Sequence, residues 1–150
     1  MPLAPVQVFL HAPWSLSSRH AFSTFADLAA DYSTERLRFA RLDVGEWPHV
    51  ATQLGVDTAP GSAYLPSVLL FEKGEELMRL PRKGGRTSVQ ELRKASMVRA
   101  FELDMRFATS MHQRRQPKVQ GAGSGSGDSA EGKVPGQQPG DGGASRHKEE

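Results

Sequence analysis

An apolar run, Val6-Gln7-Val8-Phe9-Leu10, passes through His11 into Ala12-Pro13-Trp14, and from about Ser15 to Asp31 the pattern becomes helical. A short run this apolar, rich in β-branched and aromatic residues, has the character of a buried strand. Phe22, Phe25, Ala26, Leu28 and Ala29 then recur at spacings of three and four, which makes one apolar helix face. A buried strand that feeds a helix through a tight turn must be covered by another layer, so the chain is expected to build an α/β domain.

The remaining pattern extends that unit. Residues 37–44 form a second strand anchored by Phe39 and Leu42, with Asp43 near its end. Residues 48–54 form a short helix, with Pro48 suited to its first turn and Gly55 to its stop. A loop over 57–65, punctuated by Pro60 and Gly61, leads to a third strand at 66–71. Lys73-Gly74 marks a tight turn to a fourth strand at 77–80, so this pair is a hairpin. Ser88-Val89-Gln90-Glu91 has capping-box spacing ahead of a last helix, on which Val98, Phe101, Met105 and Ala108 make a stripe that ends before Pro117. The order is β-α-β-α-β-β-α. Alternating elements imply parallel pairing with helical crossovers, and the hairpin adds an antiparallel edge. The expected architecture is a mixed four-stranded sheet with helices on both faces, spanning 1–116.

From Pro117 to Glu150 the composition changes to Gly, Ser, Gln, Pro and charge, with Val119 and Val134 its only β-branched residues and no aromatic. Such a segment buries too little apolar surface to offset its ordering entropy, and 117–150 is expected to be a disordered tail. Its Arg146-His147-Lys148-Glu149-Glu150 end is a solvated charged terminus. No internal repeat is visible.

Charge and cysteine content narrow the function classes. The formal net charge is only +2, with both signs interspersed, which argues against a nucleic-acid footprint. There is no cysteine, so this chain has no disulfide, thiolate nucleophile or cysteine-based metal site. No apolar run approaches the ~18 residues of a membrane span, and Met1 to Pro5 is too short for a signal peptide.

Ala12-Pro13-Trp14 before the helix, Leu65-Pro66-Ser67 opening the third strand and Phe71-Glu72-Lys73-Gly74-Glu75 at the hairpin stand in thioredoxin order and spacing. The chain therefore resembles the thioredoxin-like superfamily. Within it, Trp14-Ser15-Leu16-Ser17-Ser18 is similar to the S-x-x-C site of the thioredoxin-related transmembrane protein 2 family. Leu42-Asp43-Val44-Gly45, residues 65–71, Met78-Arg79-Leu80-Pro81, Gly85-Arg86 and Val98-Arg99-Ala100-Phe101 extend the resemblance over about 6–115. It implies a thioredoxin-like domain of an endoplasmic-reticulum membrane protein, linked to protein folding, redox and calcium handling there and at mitochondrial contacts. It also implies a cis bond before Pro66. The family's remaining cysteine falls at Ser18, and the family's membrane span and the first strand and helix of a thioredoxin domain have no counterpart in this sequence. That leaves one sheet edge exposed.

Serine at both positions removes the family chemistry. Thioredoxin-type exchange needs a thiolate at the helix start and a second sulfur to resolve the mixed disulfide. A hydroxyl supplies neither. What Ser15 offers instead is an N-cap. A Ser-His-Asp reading would draw on His11, His20, Asp43 and Asp57, but no nucleophile elbow surrounds Ser15 or Ser18. The histidines at 11, 20, 49, 112 and 147 lack metal-ligand spacing with carboxylates. Gly84-Gly85 lacks the P-loop pattern and is a turn. Arg82, Lys83 and Arg86 form a basic cluster, read as a solvated loop with an acidic partner or lipid headgroups as the alternative. Trp47 and Met78, Met97, Met105 and Met111 are read as core or semi-exposed packing residues.

The function expected is a redox-inactive, protein-binding or regulatory module. Trp14, Leu65 and Pro66 are its candidate peptide-binding residues, and it has no catalytic residue, cofactor, metal or nucleic-acid partner. Two alternatives stand beside it: a thiol-disulfide oxidoreductase whose cysteines are lost in this product, and a glutathione-binding domain.

Overall fold

The computed structural model describes residues 3–115. The chain begins with β1 (Val6–His11), α1 (Leu16–Tyr32), β2 (Arg38–Asp43) and α2 (Pro48–Gln53). It continues with β3 (Ser67–Glu72), β4 (Glu75–Leu80), α3 (Lys94–Ala100) and α4 (Leu103–Arg115). The expected tail at 117–150 lies outside the described residues.

The four strands form one mixed sheet in the order β2-β1-β3-β4. β1 and β2 are parallel and joined through α1. β3 runs antiparallel to β1, so antiparallel pairing reaches one strand further into the sheet than the hairpin alone would require. The long connection over 54–66 delivers the chain to the end of β1 opposite its start, and that reverses β3. The β3–β4 turn is made by Lys73 (φ 55°) and Gly74 (φ 84°), the left-handed pair that a two-residue hairpin of this twist demands.

Strand periodicity divides the core in two. Phe9, Val68 and Leu70 point toward α1, α3 and α4, where Phe25, Leu28, Met97, Phe101 and Leu103 bury them. Leu10 and Leu69 point the other way, onto Ala51 of α2, Val44, Val56 and Leu65. Full burial of each large side chain stabilises the fold by about 1.5–3 kcal/mol. Helices thus cover both faces of a thioredoxin-like α/β sheet.

The buried stripe of α1 is Ser18, Ala21, Phe25 and Leu28. It is rotated from the expected one, for Phe22 is 39% exposed. The last helix is two helices. Glu102 takes a left-handed φ of 53° between α3 and α4, which turns Phe101 and Leu103 both into the core and leaves Met105 70% exposed. Ser88 and Glu91 do bond, Glu91 N–H to Ser88 Oγ at 3.2 Å. They close only a single turn, and α3 starts later with Arg93 at its N-cap position and no side-chain cap.

Gln7 departs from its surroundings. It lies on the Phe9 face of β1, is fully buried, and neither its Nε2 nor its Oε1 has a hydrogen-bond partner. No helix among the described residues is long and apolar enough to cross a membrane.

Candidate functional site

Ala12-Pro13-Trp14 turns the chain from β1 into α1, and Ser15 caps the helix. Its extended backbone (φ −86°, ψ 112°) is that of an N-cap residue, and Ser15 Oγ accepts the Ser18 N–H at 3.2 Å. The Ser15 N–H donates to the Ala12 carbonyl at 3.1 Å, closing the turn. Ser18 is buried beneath it, and Ser18 Oγ accepts the Ala12 N–H at 3.4 Å. Each of the two serines is therefore bonded to the backbone of this turn. Leu16 and Ser17 face solvent, Leu16 being 57% exposed.

Trp14 is 50% exposed and lies over the loop that follows β2. A Cβ built on Gly45 would stand 2.8 Å from Trp14 Cζ3 and 3.1 Å from Cη2, so only glycine admits the ring there. Gly45 N–H donates to Asp43 Oδ1 at 2.8 Å, which holds the loop in place. In the sequence Gly45 enters only as the end of the Leu42-Asp43-Val44-Gly45 stretch, with no sign of the ring that covers it.

Leu65 and Pro66 arrive on the other side of β1. The β1–β3 register pairs Leu10 with Ser67. Carried two residues further, it sets Pro66 beside His11 and Leu65 beside Ala12. The Leu65-Pro66 bond is cis, as the resemblance implies. The Leu65 side chain is buried with Leu10, Ala12 and Val44. Pro66 C=O accepts the Thr87 hydroxyl at 3.1 Å. Among the described residues, the Leu65 backbone N–H and C=O form no hydrogen bond. The expected residues thus converge on one end of the sheet, with Trp14 toward β2, Leu65 and Pro66 toward β3, and the β1–α1 turn between them.

Basic and aromatic groups line the α1 side of this end. A cavity of about 280 Å³ is walled by His11, Ala12, Pro13, Ser18 and Phe22 with Arg19 and Arg41 at its rim. Arg41 sits over the Phe22 ring, 5.4 Å from its centroid, and His11 stacks on Phe9 at 5.8 Å. Burial pushes the His11 imidazole below its ordinary range, and Arg41 adds to that, while Asp43 and Glu46 oppose it. His11 is a packed imidazole, and although His11 and Ser18 wall one cavity and Asp43 acts on His11, they form no hydrogen-bonded triad among the described residues.

Comparison with known proteins agrees with this geometry. No protein-family model matches the chain. It is 34% identical over 101 residues to thioredoxin-related transmembrane protein 2-B of Danio rerio, a match covering 66% of this chain and 33% of that protein. It is 34% identical over 74 residues to the Drosophila melanogaster thioredoxin-related transmembrane protein 2 homolog, covering 49% and 27%. Against the Xenopus tropicalis thioredoxin-related transmembrane protein 2 it is 30% identical over 95 residues, covering 62% and 33%. The match thus spans about a third of the first relatives' length. A solved structure described as that of a malarial protein superposes with a TM-score of 0.50 at 15% identity, covering 67% of this chain and 96% of that one. That likeness concerns the fold.

Proposed function

We propose that this chain is a thioredoxin-like module that holds extended peptide segments without thiol chemistry. The observation that carries the reading is that the Leu65 N–H and C=O, beside the β1–α1 turn, form no hydrogen bond among the described residues. An extended segment laid there gains its N–H and C=O pairing by adding a short strand, and Trp14 supplies an apolar wall across the turn. Each backbone bond contributes about 1 kcal/mol net, so the contact is weak and reversible. Serine at 15 and 18 removes covalent trapping and leaves the contact intact. The names of the relatives set the module in a membrane protein. From the family resemblance we infer that this membrane is that of the endoplasmic reticulum, with protein folding, redox and calcium handling as the context.

The test is titration of a blocked, neutral, cysteine-free hexapeptide of valine, threonine and serine. Wild type is expected to bind it weakly. Trp14→Ala, checked for native folding, is expected to weaken binding roughly three- to tenfold, the loss of one aromatic contact. A peptide N-methylated at alternate residues is expected not to bind. Equal affinity for both proteins and both peptides overturns the reading.

A further inference from the structure

The basic loop after β4 is built into a cavity. Val68 pairs with Leu80, so the end of β4 lies at the same end of the sheet as Leu65 and Pro66. There a cavity of about 320 Å³ is bounded by Gln53 and Leu54 at the end of α2, by Tyr64 and Ser67, and by Arg79, Arg82 and Lys83. The 82–85 turn is closed by Gly85 N–H donating to the Arg82 carbonyl at 2.7 Å, with Gly84 at a φ of 78°.

The three cations have different roles. Arg79 is committed: its guanidinium pairs with Glu76 and donates to the Leu54 carbonyl at 2.8 Å. That pairing, helped by the Lys83 charge, holds the Glu76 carboxyl below the usual carboxylate range. Arg82 and Lys83 are exposed and form no ion pair among the described residues. Arg79 and Lys83 therefore act on one carboxylate that is already taken, and Arg82 lines the cavity beside them. Tyr64, next to Leu65 in the chain, lines the same cavity.

We propose that this cavity selects extended peptide segments carrying a glutamate or aspartate, whose carboxylate is received by Arg82 and Lys83. This rests on the peptide-holding reading above, because Tyr64 and Ser67, which flank Leu65 and Pro66 in the chain, both line the cavity. A guanidinium fork matches a carboxylate in two parallel bonds, and the lysine adds a point charge. Alternate side chains of a strand face alternate sides, so the preference depends on where in the segment the acid stands.

The experiment uses the full chain and the neutral hexapeptide, with six further peptides carrying glutamate at successive positions. At about 20 mM salt, glutamate at alternate positions is expected to tighten binding roughly three- to tenfold. The gain is expected to shrink at 0.5 M salt. Arg82→Ala/Lys83→Ala is expected to remove the gain while leaving neutral-peptide affinity unchanged. Both residues are exposed, and Arg79 is left in place to hold Leu54. If the neutral peptide binds through Trp14 and no glutamate position gains, the acid preference is wrong and the peptide reading stands. If acidic peptides bind through Arg82 and Lys83 while Trp14→Ala changes nothing, the cavity stands and the Trp14 wall does not. If no peptide binds, both are overturned.

Discussion

Ser18 N–H donates to Ser15 Oγ at 3.2 Å, which ties together the two positions where a thioredoxin-type site would carry its sulfurs. The same geometry that exposes a thiolate to its helix start here makes a cap. Ser15→Ala leaves the N–H groups of the first turn without that acceptor. It is expected to destabilise the fold by about 1 kcal/mol and to lower Tm by roughly 4 °C. Ser15→Asn is expected to retain most of the stability. Thermal unfolding of the three proteins decides it, and an alanine variant as stable as wild type would show that the cap contributes nothing.

Catalysis of disulfide reduction is expected to be absent. With no sulfur nucleophile in the sequence, insulin turbidity in dithiothreitol should rise no faster with the protein than without it. Rates that grow with protein concentration would revive the oxidoreductase reading.

Gly45→Ala is expected to displace the Trp14 ring. The new Cβ would collide with Cζ3, and the half-exposed indole can swing into solvent, so the cost in stability is small. In a Trp47→Phe background, Trp14 emission is expected to shift to the red and neutral-peptide binding to weaken as it does for Trp14→Ala. Unchanged emission would place the ring elsewhere.

Gln7→Met replaces a buried amide that has no partner by an apolar side chain of similar length. Leaving a buried polar group unpaired costs about 1–3 kcal/mol, so the variant is expected to be more stable by about 1 kcal/mol. Urea midpoints measure this, and a loss of stability would mean that Gln7 finds a partner.

His11 gives the fold a pH dependence. Its folded pKa lies below the unfolded value of 6.5, so the unfolded chain takes up the proton first. The stability associated with neutral His11 is complete above about pH 6.5 and declines as pH falls toward the lower, folded value. His11→Phe preserves the stack on Phe9, and its unfolding free energy is expected to fall less between pH 7 and pH 5 than that of wild type. Parallel curves would assign the acid sensitivity to other groups.

Much of this was legible in the residues. The strand–turn–helix around Trp14 was clear because two periodicities meet there, and Lys73-Gly74 announced its hairpin because few residues accept that turn. The break at Glu102 was hidden: Val98, Phe101 and Met105 keep helical spacing across it, and glutamate carries no signal for a left-handed φ. The direction of β3 was hidden too, since it depends on where a long connection lands. Gly45 and the cavity beside Arg82 needed three dimensions. Each is defined by atoms far away in sequence, Trp14 for the one and Gln53 for the other.

β2 closes one side of the sheet, and its sequence, Arg-Phe-Ala-Arg-Leu-Asp, bears on how these molecules behave in a crowd. Among the described residues β2 pairs only with β1, and an unpaired strand edge is a template for stacking one chain on another. Two arginines against one aspartate give the strand a net positive charge, and identical rims meeting in parallel register set like charge opposite like. In that register the repulsion resists stacking as long as it reaches across the gap, which makes added salt the variable that weakens the resistance.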